Sequence, residues 1–306
     1  QQAHSLRKLK RGETDIIVGT HRLIGKDIEF KDLGLLIVDE EQRFGVAQKE
    51  KLKKISGNID VLSLSATPIP RTLNMAMSGI RDMSVLDEPP EDRLPVQTYV
   101  LEHDWAILED AMRKELARGG QIYYLHNRVE SLEEVRFRLQ SLVPEMMVET
   151  AHGQMSATEL DDIFRRFKLG GFHILVSTTI IENGIDIPNV NTIIIDRADM
   201  YGVSQLYQLR GRVGRGNLQS HCFLIYGRNL TDTGKERMRV LRETNDGFVI
   251  AEEDLKLRGP GEVTGIQQSG YLTLGLADPV RDKELLELAR QDAFAQLEKK
   301  LPGHSQ

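Results

Sequence analysis

Leu35-Leu36-Ile37-Val38-Asp39-Glu40-Glu41-Gln42 is an apolar run that ends abruptly in three acids and an amide. The apolar half predicts a buried strand, and α/β proteins bind ligands where parallel strands reach their carboxyl ends. Asp39 is therefore a candidate Mg²⁺ ligand, because a hard cation prefers carboxylate oxygen. Glu40 is a candidate to polarise the water that attacks a γ-phosphate, and Gln42 joins this predicted catalytic group. The alternative is an acidic loop that follows a buried strand and binds nothing.

Similar apolar runs rich in β-branched residues recur along the chain and alternate with amphipathic stretches. This alternation predicts an α/β fold in which crossover helices connect parallel strands. The predicted strands are 15–18, 35–38, 61–64, 122–125, 174–177, 192–195 and 222–225.

Helix signals separate these strands. Ser131 with Glu134 and Ser156 with Glu159 have the spacing of capping boxes, which begin helices. The strand pattern stops after about residue 226, and helical stretches follow around 235–244 and 249–257. The proline-bearing stretch 88–95 resists helix formation and is predicted to be an interdomain linker.

Composition sets the remaining bounds. With 306 residues, the chain is long enough for two domains, and 40% hydrophobic and 28% charged residues are typical of a soluble protein. No apolar run approaches the roughly 20 residues that a membrane helix needs, so no membrane partner is expected. The single cysteine, Cys222, excludes a disulfide framework and a cysteine-rich zinc site. We expect a cytoplasmic protein, and the net charge of −6 decides little about its partners.

Two further segments carry hydroxyl groups at predicted strand ends. Ser65-Ala66-Thr67-Pro68 follows the strand at 61–64, and its hydroxyls are predicted to lie near the acids that follow the strand at 35–38. Thr178 and Thr179 follow the strand at 174–177 and suit contacts with nucleic-acid phosphates, which need no base recognition. Downstream, Gly184 allows a close backbone approach and Asp186 adds an acid. An ordinary strand-ending turn and a capped helix start are the respective alternatives.

Gln208-Leu209-Arg210-Gly211-Arg212-Val213-Gly214-Arg215 places three arginines around two glycines. Planar guanidinium groups form bidentate contacts with phosphates, so the segment is predicted to bind the phosphates of ATP. Arg212 and Arg215 are the predicted catalytic arginines, with Gln208 beside the nucleotide. A solvated basic helix is the alternative. The sequence Gly-x-x-x-x-Gly-Lys-Ser/Thr, which forms a phosphate cradle, occurs nowhere in the chain.

In this order, these segments resemble motifs II, III, V and VI of the superfamily 2 helicases. Residues 19–23 resemble motif Ib and residues 125–128 resemble motif IV. Within that superfamily, Asp39-Glu40-Glu41-Gln42-Arg43-Phe44-Gly45-Val46 and Ala66-Thr67-Pro68-Ile69-Pro70-Arg71 are similar to the bacterial double-stranded DNA translocases RecG and Mfd. Residues 19–215 are more similar to Mfd, and residues 243–290 are more similar to the RecG carboxyl end.

The resemblance implies a role for each matched residue. ATP and Mg²⁺ would be held by Asp39, Glu40, Gly184, Asp186, Gln208, Arg212 and Arg215. DNA would be contacted by Thr20, His21, Arg22, Ser65, Thr67, Asn127, Arg128, Thr178 and Thr179. A helical hairpin with its following loop would convert domain closure into movement along duplex DNA, through Arg258, Gln268 and, less directly, Arg242. A helix C-terminal charge is the alternative for Arg258.

The resemblance also implies an architecture of two RecA-like parallel-sheet domains, the first truncated, followed by the translocation hairpin and an extension. The expected boundaries are 1–92, 93–228 and 229–306. The partner would be double-stranded or branched DNA, and RNA polymerase as well if the chain is Mfd-like. The expected protein is an ATP-dependent DNA translocase that remodels forks. The alternatives are a translocase that displaces stalled RNA polymerase, an RNA helicase and a non-catalytic binding module. Because the phosphate cradle is missing, we expect the chain alone to be inactive.

Overall fold

The computed structural model describes residues 2–25, 27–40, 44–66, 83–86, 94–182, 186–228, 230–258 and 283–300. The described residues fall into two compact units. One contains those up to residue 66, and the other contains those from residue 83 onward. None of the described helices is long and apolar enough to cross a bilayer.

The first unit contains two parallel strands among its described residues, β1 (Leu35–Asp39) and β2 (Asp60–Leu64), flanked by α1 (Gln2–Arg11) and α2 (Val46–Ile55). Asp39 pairs in register with Leu64, so both strands end at the same edge. The strand predicted at 15–18 is wrong. Its Val18 side chain is 92% exposed, and the segment pairs with no described strand. Apolar content alone does not make a strand, because a strand also needs a hydrogen-bonding neighbour.

The second unit is built on a six-stranded parallel sheet in the order β3-β8-β7-β4-β6-β5. Its strands are β3 (Gln97–Glu102), β4 (Gln121–Leu125), β5 (Val148–Ala151), β6 (Ile174–Ser177), β7 (Val190–Ile195) and β8 (His221–Tyr226). The sequence predicted β4, β6, β7 and β8 to within two residues and missed β3 and β5, which are the edge strands. Edge strands are covered less fully, so their apolar runs are shorter and mixed with polar residues.

The first four helices of the second unit lie between strands, and the last three follow β8. They are α3 (Trp105–Ala117), α4 (Leu132–Leu142), α5 (Ala157–Lys168), α6 (Val203–Arg210), α7 (Asp232–Glu243), α8 (Gly247–Arg258) and α9 (Lys283–Lys300). The capping box of Ser156 and Glu159 at the start of α5 is confirmed. The one predicted at Ser131 is wrong, because this hydroxyl makes no cap hydrogen bond to α4.

Both faces of the six-stranded sheet are packed. Along β4, Tyr123 and Leu125 belong to one buried cluster, whereas Ile122 and Tyr124 belong to another. Every residue of β4, β6 and β7 is buried. Parallel strands covered on both sides show this pattern, and they leave the carboxyl edge of the sheet as the place where loops present polar side chains. The α/β fold with parallel sheets is thus confirmed.

Candidate nucleotide and nucleic-acid sites

Glu40 adopts an unusual backbone conformation at the end of β1. Its φ is +54°, in the left-handed region that residues with a side chain rarely occupy. Its amide donates to the Leu64 carbonyl oxygen at 2.9 Å, which continues the pairing of β1 with β2 for one more residue. Such strained positions cost about 1–3 kcal/mol and cluster at functional sites, where the surrounding structure holds them.

The turn that follows β2 contacts this acid directly. The Ala66 amide donates to Glu40 Oε1 at 3.3 Å, and Ser65 is exposed beside it. The structure therefore brings the two segments together, as the sequence analysis predicted. Gln42 and Thr67 lie outside the described residues.

Asp39 and Glu40 have the donor chemistry that Mg²⁺ requires. Both offer carboxylate oxygens at one strand edge, and the Asp39 side chain is exposed. Within the described ranges, no group of three or more His, Cys, Asp or Glu could enclose a metal. One or two carboxylates fit Mg²⁺, which keeps several waters and completes its shell with substrate phosphates.

The Thr20–Arg22 segment opens a short 3₁₀ turn, and its arginine is already engaged. The Thr20 hydroxyl accepts from the Arg22 amide at 3.4 Å, and His21 is exposed. The Arg22 guanidinium forms a bidentate pair with Asp27 at 2.7 and 2.5 Å, and this pairing lowers the pKa of Asp27 to about 2. The two side chains are 41% and 60% exposed, so a phosphate can reach Arg22 but must compete with Asp27.

In the second unit, two predicted DNA-contacting loops lie side by side. Leu125, the last residue of β4, pairs with Ser177, the last residue of β6. Asn127 and Arg128 are exposed beyond β4, and Thr178 and Thr179 are half-buried beyond β6. Polar groups from neighbouring parallel strands thus converge at one edge of the sheet.

The three arginines at the end of α6 have different environments. Arg210 is only 4% exposed, and its Nη1 donates to the carbonyl oxygens of Leu241 at 2.9 Å and Thr244 at 3.1 Å. Burial lowers the pKa of this guanidinium. Arg210, which is not among the predicted catalytic arginines, thus ties α6 to the end of α7.

Arg215 and Asp186, two predicted nucleotide-binding residues, form an ion pair. Arg215 Nη1 lies 3.1 Å from Asp186 Oδ1, with 33% and 56% of the side chains exposed. Arg212 and Gln208 are half-buried on the same segment. A partly exposed pair of this kind contributes about 0–1 kcal/mol to stability, so a phosphate can displace the carboxylate at little cost. Gly184 lies outside the described residues.

The helices after β8 are anchored to the arginine segment by a second polar contact. Asp254 of α8 is 7% exposed and accepts a hydrogen bond from the Ser204 hydroxyl of α6 at 2.5 Å. Arg242 on α7 is exposed and lies 3.8 Å from Glu243. Arg258 ends α8, but its side chain and Gln268 lie outside the described part of the chain.

Sequence reasoning missed three polar residues near these loops. The Tyr123 hydroxyl is buried and has no hydrogen-bond partner among the described residues, and burial raises its pKa. His126 and Asp196 meet at the carboxyl edge of the sheet, with Nδ1 and Oδ2 2.8 Å apart. Tyr123 lies within an apolar strand, and Asp196 is distant from His126 along the chain. No local sequence pattern therefore indicates the buried hydroxyl or the contact between His126 and Asp196.

Three family models match the chain. DEAD/DEAH box helicase matches residues 1–76, helicase conserved C-terminal domain matches residues 105–217, and ATP-dependent DNA helicase RecG, domain 3, C-terminal, matches residues 244–305.

The chain is also similar to longer proteins. The chain is 52% identical over 273 residues to the transcription-repair-coupling factor of Bacillus subtilis and 53% identical over 269 residues to that of Staphylococcus haemolyticus. These alignments cover 88% and 86% of the chain, but the chain spans only 23% of each relative. A structure of RecG bound to a three-way DNA junction has a TM-score of 0.69 and 39% identity, covering 94% of this chain and 38% of that one.

These likenesses indicate the same family as two features of the chain. The first is the contact between Glu40 and the turn after β2, and the second is the arginine segment at 208–215. The chain belongs to the superfamily 2 helicases and is similar to both RecG and the transcription-repair-coupling factor.

Proposed function

We propose that this chain forms the motor of an ATP-dependent double-stranded DNA translocase that acts in DNA repair. The observation that carries the proposal is the contact between the strained Glu40 and the Ser65–Ala66 turn. A carboxylate aimed by a hydrogen bond from a neighbouring strand's turn can transmit the state of the nucleotide to that turn. The proposed domain boundaries are 1–92, 93–228 and 229–306.

In the proposed ATP site, Asp39 would hold Mg²⁺, and Glu40 and Gln42 would orient the attacking water. The bound ion would neutralise negative charge on the phosphates. Contacts with nucleotide phosphates are also assigned to Arg212 and Arg215, with Gln208, Gly184 and Asp186 beside them. Arginines that complete such sites raise hydrolysis rates by about 10³–10⁵-fold in other nucleotide hydrolases. Because the chain contains no phosphate-cradle sequence, we expect the 306-residue chain by itself to hydrolyse ATP negligibly.

DNA contact is assigned to the loops at the strand ends. Thr20, His21, Arg22, Ser65 and Thr67 serve in the first domain, and Asn127, Arg128, Thr178 and Thr179 serve in the second. Backbone contacts of this kind give little sequence preference and a strong dependence on salt.

The translocation step is assigned to α7, α8 and the segment after them, through Arg242, Arg258 and Gln268. Support for this assignment comes from the contacts of Arg210 and Asp254, which join both helices to α6, where the arginine segment begins. A movement of that segment on ATP hydrolysis would reach the helices directly.

Two cellular roles fit this motor. Remodelling of branched DNA is favoured by the RecG domain 3 match at residues 244–305 and by the likeness to a RecG structure bound to a DNA junction. Displacement of stalled RNA polymerase is favoured by the 52–53% identity to transcription-repair-coupling factors. The first predicts unwinding of a synthetic fork and the second predicts release of a stalled transcription complex.

The test of the core proposal uses the full-length gene product that contains this chain. ATP hydrolysis should rise strongly with duplex DNA and little with RNA, and Glu40→Gln should abolish the stimulated rate while leaving DNA binding intact. Equal stimulation by RNA would favour an RNA helicase. An unchanged rate in the Glu40→Gln variant would refute the role given to this acid.

A further inference from the structure

His126 links three segments at the carboxyl edge of the six-stranded sheet. It is the first residue after β4, and its Nδ1 lies 2.8 Å from Oδ2 of Asp196, the first residue after β7. Its Nε2 lies 2.6 Å from the Ser131 hydroxyl, next to the first residue of α4. The His126 and Asp196 side chains are only 13% and 14% exposed, so solvent competes little for these bonds.

The chemistry of the partners suits both bonds. A carboxylate accepts hydrogen bonds, so Nδ1–H is the donor towards Asp196. The Ser131 hydroxyl can both donate and accept, so it can bond to Nε2 whichever role this nitrogen takes. Ser131 gives up a cap on α4 to make this bond, since it makes no cap hydrogen bond there. The array is therefore favoured over the local alternative.

The loop that this array closes carries three exposed residues. Asn127, Arg128 and Glu130 lie between His126 and Ser131, and all three are exposed. The imidazole ring of His126, at one end of the loop, thus bonds to Ser131 at the other end and to Asp196. The Asp196 amide also donates to the Leu125 carbonyl oxygen at 3.0 Å, so the loop rests on the sheet.

We propose that His126 is a positioning residue that holds the 127–130 loop so that Arg128 meets a phosphate of the nucleic-acid backbone. The inference rests on the proposed function, in which Arg128 contacts DNA. Arginine has a long side chain with many rotamers, so the geometry of its guanidinium at a phosphate depends on how firmly its backbone is held.

The test measures binding of the full-length gene product to a labelled mixed-sequence duplex by fluorescence anisotropy over a range of salt concentrations. Arg128→Ala should weaken binding and reduce the slope of log K against log salt by about 1. His126→Phe and Ser131→Ala should reproduce that loss of slope. The double variant His126→Phe/Arg128→Ala should bind no more weakly than Arg128→Ala alone.

Ser141→Ala is the matched control, because this serine lies on the same helix and its hydroxyl donates to the carbonyl oxygen of Phe137 within that helix, at 2.9 Å. It should leave the DNA affinity and the salt slope unchanged. A loss equal to that of Ser131→Ala would show a general effect of α4 and overturn the inference.

The remaining outcomes separate the contact of Arg128 with DNA from the positioning role of His126. If Arg128→Ala has no effect, the loop does not contact DNA, and the proposed contact falls together with the inference. If Arg128→Ala weakens binding but His126→Phe does not, or if the two losses add in the double variant, only the positioning role is refuted. Should His126→Phe fail to fold, the Ser131→Ala/Arg128→Ala cycle decides in the same way.

Discussion

Replacement of Arg210 tests whether the first arginine of the arginine segment is structural. Its guanidinium donates to the carbonyl oxygens of Leu241 and Thr244 and is 4% exposed. Arg210→Met keeps much of the side-chain volume but removes these donors. Each buried carbonyl left unsatisfied costs about 1–3 kcal/mol, and the relief of burying a charge offsets part of that. We expect a loss of about 2–4 kcal/mol in the free energy of unfolding of the second unit.

The matched variant is Arg215→Met, because Arg215 is exposed and its pair with Asp186 contributes about 0–1 kcal/mol. The single tryptophan, Trp105, lies on α3 of the second unit and reports its unfolding in urea by fluorescence. The midpoint should fall clearly for Arg210→Met and hardly at all for Arg215→Met. The proposed function expects the opposite order for ATP hydrolysis at a temperature where both variants are folded.

Equal stability of Arg210→Met and the wild type would refute the argument, since the carbonyl oxygens of Leu241, in a buried contact, and of Thr244, in a half-buried one, would then have lost their donor without cost. Arg210→Lys adds a further check. Lysine keeps the charge but lacks the planar fork, so it should recover only part of the lost stability. Full recovery would show that the charge alone matters.

Three other predictions follow from local environments. Because Arg22 holds the pKa of Asp27 near 2, the pair is intact above the ordinary carboxyl pKa and is lost as the pH falls through about 2, which an NMR titration of the carboxyl group measures. Asp27→Asn should free Arg22 and tighten DNA binding. Unchanged affinity would count against a DNA contact by Arg22. Tyr123→Phe removes a buried hydroxyl without a partner, so stability should stay the same or rise by up to about 1 kcal/mol, and a marked fall in the unfolding midpoint would contradict its isolation. Burial raises the pKa of Cys222 to about 12, so a thiol reagent should react with it only after urea unfolds the second unit, and rapid labelling of the native chain would be inconsistent with its burial.

The sequence alone determined the elements whose causes are local. The strand at 174–177 has the predicted bounds, because its apolar run is short, continuous and bounded by polar residues. The Ser156 and Glu159 cap follows from groups three residues apart. The strand ends at Asp39 and Ser177 were also predictable, and with them the positions of most candidate site residues.

Only the tertiary structure decided which neighbours these residues have. It left 15–18 without a strand partner, added the edge strands β3 and β5, and turned the Ser131 hydroxyl from its own helix to His126. It also separated the buried Arg210 from the exposed Arg215, although both belong to one motif. The physical reason is common to all these cases. Strand pairing, burial and hydrogen bonds between distant segments depend on which parts of the chain meet in space, and the local pattern of residues does not contain that information.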